Sequence, residues 1–125
     1  MRKIKFRAWD KLNKEMFNVE SINFQERRVY KDVVSYRNFN NIELMQYTGL
    51  KDKNEKEIYE GDILSDGNNN NPHKVIFKNG SFRAEFEGDF DEYSFDLIDV
   101  VAQGCEVVGN IYENFELIKE WDNGI

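Results

Sequence analysis

The sequence predicts an all-β fold, with a β-rich α+β fold as the variant: hairpins form a small barrel-like core with a short C-terminal helix. Three observations carry this. First, apolar and polar residues alternate with period two in short runs, as in Ile4, Phe6 and Ala8 against Lys3, Lys5 and Arg7, the pattern of a half-buried strand. Second, turn residues break up the runs at short intervals. The clearest is Asn79-Gly80, the preferred two-residue hairpin link, because both central positions need φ > 0. Third, the 125 residues include 10 Phe, 6 Tyr and 2 Trp. Each buried ring removes about 150–250 Å² from water, so a few rings supply core that the aliphatics alone do not. The length suits one domain, read as residues 1–125.

The elements follow in order. Lys3 to Ala8 is a strand, and Asp10 to Lys14 a turn. Met16 to Phe24 is a second strand with Phe17, Val19 and Ile22 inward, completing a hairpin. Arg28 to Val34 is a third strand, and Tyr36 to Asn41 a polar loop. Glu43 to Gly49 is a strand, Lys51 to Lys56 a charged turn, and Glu60-Gly61-Asp62 a tight corner before Ile63-Leu64. Asp66 to Pro72 is the clearest loop, and it places His73 at an exposed site. Lys74 to Lys78 and Ser81 to Glu87 form the hairpin around Asn79-Gly80, with Phe82, Ala84 and Phe86 on one face. Gly88 to Glu92 is an acidic loop. Phe95 to Gln103 is a short helix or irregular segment that Ser94 can cap, and Glu106 to Tyr112 is a strand. Asn114 is a good N-cap for a helix from Phe115 to Trp121, followed by a frayed tail from Asp122 to Ile125.

Composition excludes several classes. The longest apolar runs are three residues, such as Val75-Ile76-Phe77, against about 20 for a membrane helix. Met1-Arg2-Lys3 is basic, but no apolar run follows to make a signal peptide. A single cysteine, Cys105, cannot close an intramolecular disulfide, so a reducing cytoplasm is the expected compartment. Beside Gly104 and opening an apolar strand, Cys105 reads as a buried, inert thiol. With only one His and one Cys, a protein zinc site is not expected. The net charge of −7 opposes direct nucleic-acid binding, which needs clustered Lys and Arg. The 15 asparagines, with abundant Lys, Phe, Tyr and Ile, suggest an AT-rich genome.

One long stretch carries more. LMQYTGLKDKNEKEIYEGDIL, Leu44 to Leu64, resembles the hallmark of the YopX family of phage and prophage proteins. IKFRAWDKLNKEMF resembles that family's opening, VIFKNGSFRAEF its central hairpin and CEVVGNIYENFELI its closing segment. The resemblance runs from about Lys3 to Ile118. It departs at Phe115, where the usual closing piece has a proline after the asparagine. It implies a small phage- or prophage-encoded protein of a low-GC bacterium, a β-rich fold with a barrel-like core, and self-association. It implies no reaction, cofactor or catalytic residue.

Candidate sites each have a structural reading beside the functional one. Tyr47, Thr48, Gly49, Asp52, Tyr59, Glu60, Gly61 and Asp62 offer aromatic faces and carboxylates for a binding groove. The same residues make turns and strand packing, with Asp and Asn bonding nearby backbone amides. Glu85, Glu87, Asp89, Asp91 and Glu92 match no calcium-loop spacing and read as a solvated surface. Asn110, Tyr112 and Asn114 form a polar–aromatic set. Phe115, Leu117, Ile118 and Trp121 form an apolar stripe that buries itself within the chain or against another subunit.

The expected function is a non-enzymatic interaction module with no cofactor and no bound metal. Its partners are a second copy of itself and a host or phage protein, in the bacterial cytoplasm. Two alternatives stand beside it. One is an acidic mimic of nucleic acid that occupies a host DNA-binding protein. The other is a metal-dependent hydrolase using Glu57, Glu60 and Asp62 as oxygen ligands.

Overall fold

Residues 3–67, 72–86 and 94–118 are described by the structure, a computed structural model. Of these, 52% are strand, with one short α-helix, as the all-β expectation requires. The chain divides into two compact units, Met1–Tyr47 and Thr48–Ile125.

In the first unit, β1 (Phe6–Asp10) and β2 (Glu15–Asn18) form an antiparallel hairpin with Ala8 opposite Phe17. The start of β6 (Ile42–Lys51) pairs with the other edge of β1, setting Leu44 opposite Ala8. A separate three-stranded sheet takes the order β3-β4-β5, from β3 (Ser21–Asn23), β4 (Arg28–Tyr30) and β5 (Tyr36–Asn38). One 3-10 turn, Phe39–Asn41, leads into β6. The core is Ala8, Phe17, Val29 and Ile42, with Val19, Ile22 and Phe39 packed on it.

The second unit begins with the remainder of β6. Then come β7 (Glu57–Tyr59), β8 (Asp62–Ser65), β9 (His73–Lys78), β10 (Ser81–Phe86), β11 (Ser94–Asp96), α1 (Leu97–Ala102) and β12 (Glu106–Asn110). Five of these strands form one antiparallel sheet in the order β11-β10-β9-β8-β12. The β9–β10 hairpin turns at Asn79 and Gly80, at φ 53° and 84°, the mirror-image turn that Asn-Gly favours. The core of this unit is Leu64, Val75 and Ala84 of that sheet with Ile58 of β7, Leu97 of α1 and Cys105.

Several expectations are corrected. The strand expected from Met16 to Phe24 is two strands, β2 and β3, in different sheets. The third strand stops at Tyr30, and Lys31–Val34 turn outward with Val33 83% exposed. The Asp32 carboxylate accepts the amides of Val34 and Ser35 at 2.9 and 2.7 Å, and this local bond outcompetes the strand ladder. Tyr36 to Asn38 is β5 rather than loop, because it completes the β4 ladder. Ile4 precedes β1 and is exposed. Ser94 lies in β11 and does not cap α1; Asp96 takes the cap position with no side-chain bond. His73 is in β9 opposite Phe86 and 2% exposed, so it is not an exposed loop residue. The expectations for residues 87–92, for the loop at 68–71, and for Trp121 and the tail fall outside the described residues.

Candidate functional site

The stretch Leu44 to Leu64 supplies most of β6, then β7 and the first three residues of β8, joined by two turns. Thr48, Asp52 and Asp62 of this stretch bond backbone groups. Thr48 Oγ1 donates to the Ile58 carbonyl at 2.7 Å and accepts the Leu50 amide at 3.2 Å. Asp52 is buried. Its Oδ1 accepts the amides of Asn54 and Lys56 at 2.8 and 2.9 Å, and its Oδ2 accepts the Val107 amide at 2.9 Å. Burial alone would raise the Asp52 pKa, but those three amides and the Lys56 charge bring it below the ordinary carboxylate value.

The second turn is built the same way. Asp62, also buried, accepts the Tyr59 amide on Oδ2 at 2.8 Å. Gly61 sits at φ 84°, where a Cβ is strained. Its amide donates to the Val75 carbonyl and its own carbonyl accepts the Ile111 amide, both at 2.9 Å. Tyr59 is buried, and its hydroxyl lies 3.4 Å from Glu57 Oε1. Glu60 is half-buried at the corner, and Gly49 lies within β6 at φ 87°. Tyr47 belongs to the first unit, buried, with the Lys5 ammonium 5.6 Å from its ring centre. Thr48 thus bonds the backbone of β6 and β7, while Asp52, Gly61 and Asp62 serve the two turns.

Two further side-chain clamps on the backbone lie outside that motif, one built on a buried carboxylate and one on asparagine amides. Asp10 has no exposed surface. It accepts the amides of Leu12 and Asn13 at 3.0 Å each, the Asn13 side chain at 2.8 Å and Arg37 Nε at 2.6 Å. Burial works to raise its pKa, yet these four donors hold it well below the usual carboxylate range. The Asp-Lys-Leu-Asn turn was legible as a turn. Nothing local indicated Arg37, 27 positions away. In the second unit, Asn110 Oδ1 accepts the amides of Tyr112 and Glu113, and Asn114 Oδ1 accepts the Asn110 amide at 3.1 Å. Asn114 therefore serves this loop and makes no side-chain cap on the 3-10 helix Phe115–Leu117, which forms the start of the expected C-terminal helix; the part of that helix from residue 119 onward lies outside the described residues.

The remaining candidates separate. Cys105 is buried; that burial, with the nearby negative charge of Asp52, pushes its thiol pKa up against a smaller pull from Lys53. His73 Nδ1 is buried with no hydrogen-bond partner, and its ring lies 3.9 Å from that of Phe86. Glu85 pairs with Lys74 at 3.4 Å. Ile118 is buried, whereas Phe115 and Leu117 are exposed. Among the described residues no group of three or more His, Cys, Asp or Glu is placed to hold a metal ion, and Glu57, Glu60 and Asp62 form no such group. Among them, too, no helix is long and apolar enough to cross a membrane.

Large apolar side chains face outward instead. Phe24, Val33 and Val34 are exposed in the first unit, and Phe77, Phe95 and Ile98 in the second. In the first unit, residues 20–24 together with Tyr30, Asp32 and Val33 line an open groove of about 610 Å³.

Short antiparallel strands joined by turns in which a carboxylate accepts backbone amides define this as a small β protein. The chain belongs to the YopX protein family, whose model matches residues 5–119. It is similar to the crystal structure of protein EF1440 from Enterococcus faecalis, at 32% identity and a TM-score of 0.72, covering 94% of this chain and 99% of that one. It is also similar to the crystal structure of YopX from Bacillus subtilis, at 25% identity and a TM-score of 0.54, covering 94% and 98%. No curated protein matches.

Proposed function

We propose that the chain is a phage or prophage accessory protein of the bacterial cytoplasm that acts without catalysis. It associates with itself and binds a host or phage protein. The observation that carries this reading is the contrast between the two kinds of side chain in the motif and on the surface. Asp52 spends both carboxylate oxygens on backbone amides, while Phe24 and Val33 stand 75% and 83% exposed. Polar groups bound to their own backbone stabilise a scaffold. Apolar groups left in water mark contact surfaces when they cluster. The exposed Phe115 and Leu117 provide a contact for a second copy.

A pull-down with the tagged full chain from the host bacterium, read by mass spectrometry alongside sedimentation of the pure protein, tests this. The expected result is one stoichiometric partner and a self-associated species. Recovery of the bait alone, with a monomer in the centrifuge, would reject the reading.

A further inference from the structure

We propose that the groove beside β3 takes a short extended segment of a partner protein, apolar at alternate positions and carrying lysine or arginine between them. This deepens the interaction-module reading and rests on it.

Three features of the groove point to that occupant. The first is the edge. β3 pairs with β4 alone in the order β3-β4-β5, so its far side carries no strand among the described residues. Exposed edges recruit added strands through main-chain hydrogen bonds. The second is the wall. Phe24, held edge-on against Phe39 with ring centres 6.2 Å apart, and Val33 are large, exposed and on the groove lining. In an added strand, residues two apart share one face, so alternate apolar side chains meet this wall. The third is charge. Glu20 and Asp32 line the groove, and among the described residues no Lys or Arg lines it. The amides of Ser35 and Val34 hold the Asp32 carboxyl below its ordinary value, so it stays ionised. Both of those bonds fall on Oδ1.

The same charges argue against two other occupants. A phosphate backbone meets two carboxylates, and nucleic-acid affinity depends on neutralising phosphates. A second copy docked about a two-fold axis brings a self-complementary patch against its own image, which sets Glu20 and Asp32 against like charges.

The test uses the full chain and a fluorescein-labelled peptide of alternating valine and lysine, with a valine–glutamate peptide as its counterpart. Binding is read by anisotropy and located by amide NMR shifts. The expected result is that the valine–lysine peptide binds, shifts amides of residues 20–24, and is preferred over its counterpart. Glu20→Lys weakens it roughly three- to tenfold, as reversal of an exposed charge contact implies, and Val33→Asp weakens it further. Glu116→Lys, which changes the net charge equally but does not line the groove, leaves binding unchanged. Equal loss in Glu116→Lys overturns the proposal, because the attraction is then diffuse. So does binding without shifts at residues 20–24, or no binding at all. Sedimentation in which Val33→Asp abolishes self-association, with no peptide bound, overturns it in favour of a second copy. The lysate pull-down separates the two readings: a stoichiometric partner retained in full by Glu20→Lys and Val33→Asp rejects the groove while the interaction module stands.

Discussion

Asp52 Oδ2 accepts the Val107 amide at 2.9 Å across 55 positions of sequence. The same carboxylate closes its own turn through Asn54 and Lys56. One side chain thus ties the turn after β6 to β12. Asp52→Ala leaves three amides without this acceptor, and hydrogen bonds to charged groups contribute about 1.5–3 kcal/mol each. Allowing for water reaching the turn, a loss of about 3 kcal/mol is expected in urea unfolding. Asp52→Asn keeps one carbonyl oxygen and loses roughly half of that.

Asp10 and Arg37 make the corresponding clamp in the first unit. The folded pKa of Asp10 is depressed, so the unfolded chain binds the proton more tightly. The resulting stability is fully present above the unfolded value of about 3.9 and is lost as pH falls below it. The melting temperature should therefore be flat from neutral pH down to about 4–5 and fall steeply below. Arg37→Leu should cost about 2 kcal/mol at neutral pH and flatten the acid limb. An unchanged acid limb in Arg37→Leu would show that other carboxylates set it.

Thr48 satisfies the Ile58 carbonyl from a buried position. Thr48→Val keeps the shape and removes the hydroxyl, so the cost is the unmade bond, about 1–2 kcal/mol. Thr48→Ser retains the donor and should recover most of that in the same denaturation series.

Gly109 is required by packing. A Cβ placed there would lie 2.5 Å from Asn114 Oδ1 and 2.9 Å from Asn114 Cβ. The Asn114 side chain must move, and with it the bond to the Asn110 amide. Gly109→Ala should cost about 1–3 kcal/mol. The double variant Gly109→Ala, Asn114→Gly should cost less than the sum of the two singles, because the clash exists only when both side chains are present.

Cys105, buried and with its thiol pKa raised, should be unreactive toward a thiol-specific reagent in the native protein and react once denaturant is added. Rapid native-state reaction would mean that the chain around Cys105 opens locally.

The legible parts of this chain were those decided by neighbours in sequence. The Asn79-Gly80 hairpin with its alternating Phe82, Ala84 and Phe86 emerged as β9 and β10 in the expected register, because turn type and strand period are local properties. The turn chemistry of Asp52, Gly61 and Asp62 was legible for the same reason. Where β3 begins was not. Val19 and Glu20 interrupt what looked like one run, and the amide of Val19 bonds to Phe6 while that of Glu20 bonds to Tyr30, a choice between two sheets that no local pattern encodes.

What the sequence alone determined is the β character, the turns that punctuate it, the buried thiol and the family. The tertiary structure decided which long-range partners those local pieces receive. It gave Asp10 its Arg37 and Asp52 its Val107, buried His73 in β9, and left Phe24 and Val33 in water beside a strand edge that pairs with no other strand among the described residues. The physical reason is that alternation specifies a strand's two faces, whereas burial and pairing depend on what the rest of the chain places against them.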